Sequence, residues 1–339
     1  MAAHASAPPS PERLFQAMSA YQTTAAIKAA IELCLFTAIA EGATNPVAIG
    51  AKVNGSPKGM RVLCDYLTIH GFLSKSGDQY ALTQDSAIFL NRHSPAYMGG
   101  VIDFLLHPHI TSSFDNFGDV VRKGGTLLSA QGTMDPDHPV WQRFARAMVP
   151  MIMPSAEFIA EVTGAAKGEP WKVLDIAAGH GMFGITIGRR NPNAQIHACD
   201  WKAVLAVAEE HAKVAGVTDR YHLMPGSAFD VDYGSGYDLV LFTNFFHHFD
   251  PPACERFMRK GLDALRPGGR AVTLEFIPNP DRVSPPIAAS FSMMMLGSVA
   301  DGDAYTFAEY QRMFANAGYS SSEMLDIPMS PQRLVISYK

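Results

Sequence analysis

The run Val173-Leu174-Asp175-Ile176-Ala177-Ala178-Gly179-His180-Gly181-Met182-Phe183-Gly184 constrains the fold more than any other stretch of the chain. Val173 to Ile176 is a short apolar run of strand type, and Gly179, Gly181 and Gly184 follow it in G-x-G-x-x-G spacing. The helical pattern Phe183 to Arg190 comes next, so the run predicts a strand that turns through glycines into a helix, the opening of a βα unit. The same alternation continues downstream. Strand-like runs at Gln195 to Cys199, Tyr237 to Phe242 and Ala271 to Phe276 are interleaved with helical ones at Val204 to Ala215 and Ala253 to Leu265. That order predicts a parallel sheet in an α/β, Rossmann-like domain over 169–339, with Leu334 to Tyr338 closing it as an edge strand.

The first half reads differently. Leu14, Met18 and Tyr21, then Ile27, Ile31 and Leu35, recur at helical spacing and predict two helical stretches over 11–41, ended by Gly42. A short helix from Pro46 to Val53, the turn Asn54-Gly55-Ser56-Pro57, a helix from Lys58 to His70 and a hairpin from Phe72 to Leu82 tipped by Gly77-Asp78 follow. Helix, turn, helix and hairpin in that order predict a winged-helix-like domain over 12–95. A DNA-reading version needs a basic second helix, and this one offers Lys58 and Arg61 against Asp65. With 27 basic against 32 acidic residues, a net charge of −5, nucleic acid is not an expected partner. Residues 96–168 are mostly helical in pattern and are read as a connector that contributes to a substrate pocket.

Apolar residues form 47% of the 339 and charged ones 17%, the balance of a packed globular chain. Residues 1–11, MAAHASAPPSP, lack the apolar core of a secretory signal and are expected to be a disordered lead. The most hydrophobic helical stretch, Thr24 to Ala40, is interrupted by Lys28 and Glu32, so no membrane span is expected. Four scattered cysteines with no C-x-x-C pair suit a reducing, cytoplasmic setting.

A G-x-G-x-x-G turn usually cradles a dinucleotide pyrophosphate, and Asp200, 21 positions after Gly179, fits the acidic ribose partner. A nicotinamide or flavin oxidoreductase is therefore one reading. Asp175 favours another. A carboxylate four positions before the first glycine repels a pyrophosphate and suits a ligand that presents a cation there, as the methionine ammonium of S-adenosylmethionine does. The competing role for Asp175 is to cap the loop or the following helix.

Asp175 to Gly184, Asp200-Trp201 and Arg266-Pro267-Gly268-Gly269-Arg270 resemble the successive motifs of class I S-adenosylmethionine-dependent methyltransferases. From about residue 12 to 339 the chain resembles the small-molecule O-methyltransferases of plant caffeate type and their bacterial relatives. In these a winged-helix-like dimerisation domain precedes the catalytic one. The resemblance implies a homodimer and S-adenosyl-L-methionine as cofactor, with Asp200 and Trp201 at the ribose and the backbone of Gly179 and Gly181 at the amino-acid end. It also assigns Asn244 to the cofactor site. Gly226-Ser227-Ala228-Phe229 lies where the family often carries Gly-Asp-x-Phe near adenine, so Ser227 and Phe229 are carried over although Ser227 lacks the charge. Thr243 replaces the family's lysine.

The cluster Thr243-Asn244-Phe245-Phe246-His247-His248-Phe249-Asp250 follows a predicted strand, at the edge where open α/β sheets bind ligands. Methyl transfer to a hydroxyl calls for removal of its proton, a task suited to histidine. His247 aligns with the family's catalytic base and Glu275 with the acidic residue that orients it, while His248 falls where an aspartate often follows. Plant members bring a second glutamate to the histidine in the region matched by Asp301-Gly302-Asp303-Ala304-Tyr305-Thr306, and neither Asp303 nor Ala304 replaces it. Phe104, His107, Met148, Met151, Phe291 and Met294 are candidate substrate-lining residues, with His109 beside them. The imidazoles of His107, His109, His247 and His248 lack the helix-spaced partners of a metal site, so none is expected. The expectation is a metal-independent O-methyltransferase acting on a small aromatic or polyketide-like hydroxyl. The alternatives are a C- or N-methyltransferase or a cofactor-dependent cyclase of the same fold, an NAD-type oxidoreductase, and a winged-helix regulator.

Overall fold

The structure, a computed structural model, describes residues 9–128 and 139–339, so the first eight residues of the expected disordered lead lie outside it, as does the side chain of His109. The chain divides into two compact units at Ile102/Asp103.

The first unit opens with α1 (Glu12–Glu32) and α2 (Leu35–Ala40), separated where Cys34 takes a left-handed backbone, φ 56°. Asn45 caps α3 (Pro46–Val53) through its side-chain oxygen, with Pro46 in the first turn, and Ser56 and Pro57 start α4 (Pro57–Ile69) in the same way. The hairpin β1 (Leu73–Ser76) and β2 (Gln79–Leu82) turns through Gly77, and α5 (Gln84–Phe89) follows. Leu35, Phe36, Ile49, Cys64, Leu67 and Tyr80 are the buried centre of this unit. The expected helix, turn, helix and hairpin are all present. On α1, Leu14, Phe15, Met18 and Tyr21 are 61–69% exposed.

The unit boundary falls within α6 (Ile102–Leu105); α7 (Pro108–Thr111), α8 (Phe117–Lys123), α9 (Pro139–Ala147) and α10 (Val149–Val162) then lead into the second unit's sheet. Its elements are β3 (Lys172–Ile176), α11 (Met182–Arg190), β4 (Gln195–Asp200), α12 (Lys202–Val214), β5 (Tyr221–Pro225), β6 (Tyr237–Thr243), α13 (Pro251–Ala264) and β7 (Leu265–Glu275). After these come α14 (Pro286–Ser298), α15 (Phe307–Ala317), β8 (Ser321–Asp326) and β9 (Arg333–Tyr338). The strand order is β5-β4-β3-β6-β7-β9-β8, parallel from β5 to β7, with β9 antiparallel to both of its neighbours. Side chains alternate between two cores. Val173, Ile196, Leu241 and Val272 face one layer of helices, and Leu174, Ile176, Val240 and Phe242 face the other.

This is the expected α/β, Rossmann-like class, with two corrections. Leu334 to Tyr338 is not an edge strand: β9 lies between β7 and β8 and pairs along its length with both. The true edges, β5 and β8, escaped the sequence pattern. Each pairs on one side only and carries exposed polar residues, and β5 ends in Pro225, which a central strand would not tolerate. Chain order reverses between β3 and β6, which places a ligand crevice at their carboxyl ends. No helix among the described residues is long and apolar enough to cross a membrane.

Candidate active site

After β3 the backbone turns left-handed at Ala177 (φ 52°), Gly179 (φ 57°) and Gly181 (φ 74°). A Cβ on Gly181 would lie 2.5 Å from the Tyr221 hydroxyl and 2.9 Å from the Ala208 methyl, so the turn leaves no room for a side chain there. Asp200 closes the loop from the end of β4. Its Oδ2 accepts from Gly179 N at 2.8 Å and its Oδ1 from Trp201 N at 2.7 Å. Burial pushes its carboxyl up to about 6 against those two amides. Each oxygen keeps a lone pair, so a partly exposed acceptor sits beside a bare backbone turn, an arrangement that fits a ribose and an amino-acid end. The ring of Phe144 stacks over buried His180, which burial holds down at about 3.

Asp175 requires a correction. It is fully buried beneath the loop, and its Oδ2 accepts from Gly184 N at 3.0 Å, the capping role that the charge pattern had placed second. Its Oδ1 is buried with no hydrogen-bond partner among the described residues. Burial is the main force pushing the carboxyl up to about 7. Asp175 therefore does not present an exposed carboxyl group to a ligand cation.

Gly226 N donates to Asp200 O at 3.0 Å, which anchors the next segment to the same edge. Ser227 Oγ accepts from Phe229 N at 3.2 Å, and Phe229 is 48% exposed with its ring 4.3 Å from that of Phe257. Trp201 packs with Trp141 against Ala145, Val204 and Val207. Asn244 leaves β6 with φ 54° and accepts through Oδ1 from Gln332 Nε2, a partner in the β8–β9 loop that no sequence pattern indicated.

Three positions further on stands His247, 5% exposed. Its Nδ1 lies 2.6 Å from Oε2 of Glu275, the last residue of β7, itself fully buried. The other oxygen of Glu275 accepts from Phe245 N and Phe246 N at 2.8 Å and from His247 N at 3.4 Å. One carboxylate thus shapes the turn and orients the ring. With Nδ1–H donating to Glu275, the acceptor lone pair falls on Nε2. His248 adjoins it, ring centroids 4.2 Å apart, with a buried Nδ1 that has no hydrogen-bond partner among the described residues, and burial holds it neutral.

The substrate candidates separate. Phe291 meets His247 edge-on at 5.0 Å and stacks on Phe276 at 4.0 Å. Phe104 joins the site through Phe144, and Trp141, unmarked in the sequence, meets both Phe144 and His248 edge-on. His107, between α6 and α7, Met148, between α9 and α10, and Met294, on α14, are half-buried, and Met151 is 43% exposed. Asp303 is held by Arg282 at 3.3 Å and by the amide of Ala304. Among the described residues no group of three or more His, Cys, Asp or Glu could hold a metal ion.

Comparison with known proteins adds an independent finding. The pattern of the O-methyltransferase domain matches residues 167–320, and that of the O-methyltransferase dimerisation domain matches 15–92. A crystal structure from Nostoc punctiforme, provisionally named an O-methyltransferase, is 50% identical with a TM-score of 0.95 and covers 98% of this chain and 100% of its own. The 3-hydroxy-5-methyl-1-naphthoate 3-O-methyltransferase of Streptomyces sahachiroi is 26% identical over 88% of this chain and 86% of its own. Human N-acetylserotonin methyltransferase, solved with S-adenosylmethionine, shares the fold at a TM-score of 0.84 and 19% identity, over 99% of each chain.

Proposed function

The chain belongs to the S-adenosylmethionine-dependent O-methyltransferase family, and from that premise we propose that it methylates a hydroxyl on a small aromatic or polyketide-like molecule, as a cytoplasmic homodimer, with His247 taking the acceptor's proton. Bound S-adenosylmethionine supplies an electrophilic methyl group. The residues that would hold it are Asp200 and Trp201, the backbone of Gly179 and Gly181, and Ser227, Phe229 and Asn244. Asp175 supports the loop from below.

The observation that carries the reading is the 2.6 Å contact of His247 Nδ1 with Glu275. It fixes the ring, leaves Nε2 to receive a proton, and places a buried negative charge where the imidazolium forms. Phe291, beside the base, suits a flat acceptor, and the naphthoate acted on by the Streptomyces relative is of that kind. The match to the dimerisation domain and the exposed apolar face of α1 support the homodimer.

Calorimetric titration with S-adenosylhomocysteine and NAD tests the cofactor site. S-adenosylhomocysteine should bind, NAD should not, and Asp200→Ala should weaken the former at least about tenfold, as the loss of a charged hydrogen-bond acceptor would. Saturable binding of NAD alone would refute the assignment. Transfer of labelled methyl to an oxygen, read by mass spectrometry of the product, separates this reading from C- or N-methylation.

A further inference from the structure

Glu275 grips one side of the turn that carries His247; a second element presses on the other side. The chain from Val299 to Tyr305 crosses it so closely that a Cβ built on Gly302 would lie 2.0 Å from the carbonyl oxygen of His247. The same Cβ would be 2.9 Å from the carbonyl carbon of His248 and 2.7 Å from Val299 Cγ2. Two of these three neighbours are backbone atoms of the histidine turn, which Glu275 already holds, so neither can move aside cheaply. Three residues on, the hydroxyl of buried Tyr305 donates to Phe249 O at 2.5 Å, at the end of the same turn.

The crossing segment is itself anchored. Arg282 donates to Asp303 Oδ2 at 3.3 Å and Ala304 O at 3.4 Å, and holds both oxygens of Glu309 at 2.6 and 2.8 Å. Thr306 and Glu309 cap α15 reciprocally, which fixes the segment's far end. At its near end, Thr126 N donates to Val299 O at 3.1 Å.

We propose that residues 299–305 form a positioning device for His247, with Gly302 as its point of contact and Tyr305 as its second hold. In the region where plant relatives of the resemblance place a second acidic side chain, this protein braces the base with backbone. Gly302 and Tyr305 are positioning residues: they touch the turn and not the reacting atoms. The inference rests on His247 being the base only for its relevance to rate. The bracing itself is read on the imidazole directly.

The test uses the full-length protein labelled with ¹⁵N-histidine. The hydrogen-bonded Nδ1 proton of His247 is identified as the downfield signal lost in His247→Gln. In Gly302→Ala that signal is expected to vanish or move while the affinity for S-adenosylhomocysteine stays within about twofold, because the new methyl displaces the histidine turn and not the glycine loop. Should Gly302→Ala fail to fold, shown by loss of S-adenosylhomocysteine binding, Tyr305→Phe takes its place, since it removes one hydrogen bond without adding volume. There the same proton is expected to exchange with water about fivefold faster, as the loss of roughly 1 kcal/mol of bracing implies. A folded Gly302→Ala protein with the signal and its exchange unchanged would overturn the proposal, as would an unchanged Tyr305→Phe protein in the second case. Undiminished turnover in His247→Ala would instead remove the base assignment and leave the bracing standing.

Discussion

Glu275 holds His247 with one oxygen, 2.6 Å from Nδ1, and with the other collects the amides of Phe245 and Phe246 at 2.8 Å each. Because the ring and its turn hang on the same buried group, changing that group alters the ring's tautomer as well as its support. In Glu275→Gln the amide oxygen can serve the backbone amides, which turns its NH₂ toward Nδ1. The imidazole must then carry its proton on Nε2, where the acceptor's proton should go.

Glu275→Gln is therefore expected to cost about as much as His247→Ala, each on the order of 10²- to 10⁴-fold in kcat, with S-adenosylhomocysteine affinity nearly unchanged. Steady-state kinetics beside calorimetry checks this. A Gln variant close to wild type would show that Glu275 does not set the tautomer.

A second prediction concerns acidity. Burial raises the Asp175 carboxyl to about 7 and that of Asp200 to about 6, both above their unfolded values. A group raised in this way stabilises the fold fully below its unfolded pKa, and that contribution is lost as pH climbs through the folded one. Stability should therefore fall from near pH 4 to near pH 7, by on the order of a few kcal/mol for Asp175. Urea midpoints at pH 5 and pH 8 should differ less in Asp175→Asn than in wild type. A larger difference in the variant would contradict the assignment.

The exposed face of α1 supplies a third. Leu14→Glu with Met18→Glu places two charges on a stripe that is 61–69% exposed in one chain. Light scattering should report twice 36.7 kDa for the wild type and 36.7 kDa for the double variant. A wild type that is monomeric at micromolar concentration would rule out the homodimer.

The ring of Phe291, edge-on to His247, supplies the fourth. With an aromatic acceptor found by screening, Phe291→Ala should raise KM by about five- to tenfold, the worth of an aromatic contact of roughly 1 kcal/mol, and leave cofactor affinity alone. An unchanged KM would place the acceptor elsewhere.

Elements set by local chemistry were legible in the sequence. The Gly77-Asp78 tip predicted its hairpin, Asn45-Pro46 began α3 where expected, and the glycine turn after Ile176 sits at the carboxyl edge of its strand. Features decided by what lies across the fold were not. β8, with Ser, Glu and Asp in a six-residue run, is a strand because β9 pairs with it. Asp175 looked like a ligand group because charge is visible in a sequence and burial is not. Gly302 carries no local signal, since its need to be glycine comes from a carbonyl oxygen 55 residues earlier in the chain.

The place of β9 between β7 and β8 has a consequence for how the protein is made. β7 ends at Glu275 and β9 begins at Arg333, so 57 residues must be synthesised after β7 before its open edge finds a partner. At about 5–20 residues per second that is roughly 3–11 s. Through this interval the growing chain carries an unpaired strand edge holding Ala271, Val272 and Leu274, a template for pairing with other chains. Slowing synthesis within residues 276–332 should lengthen that window and raise the aggregated fraction, with no change to the finished molecule.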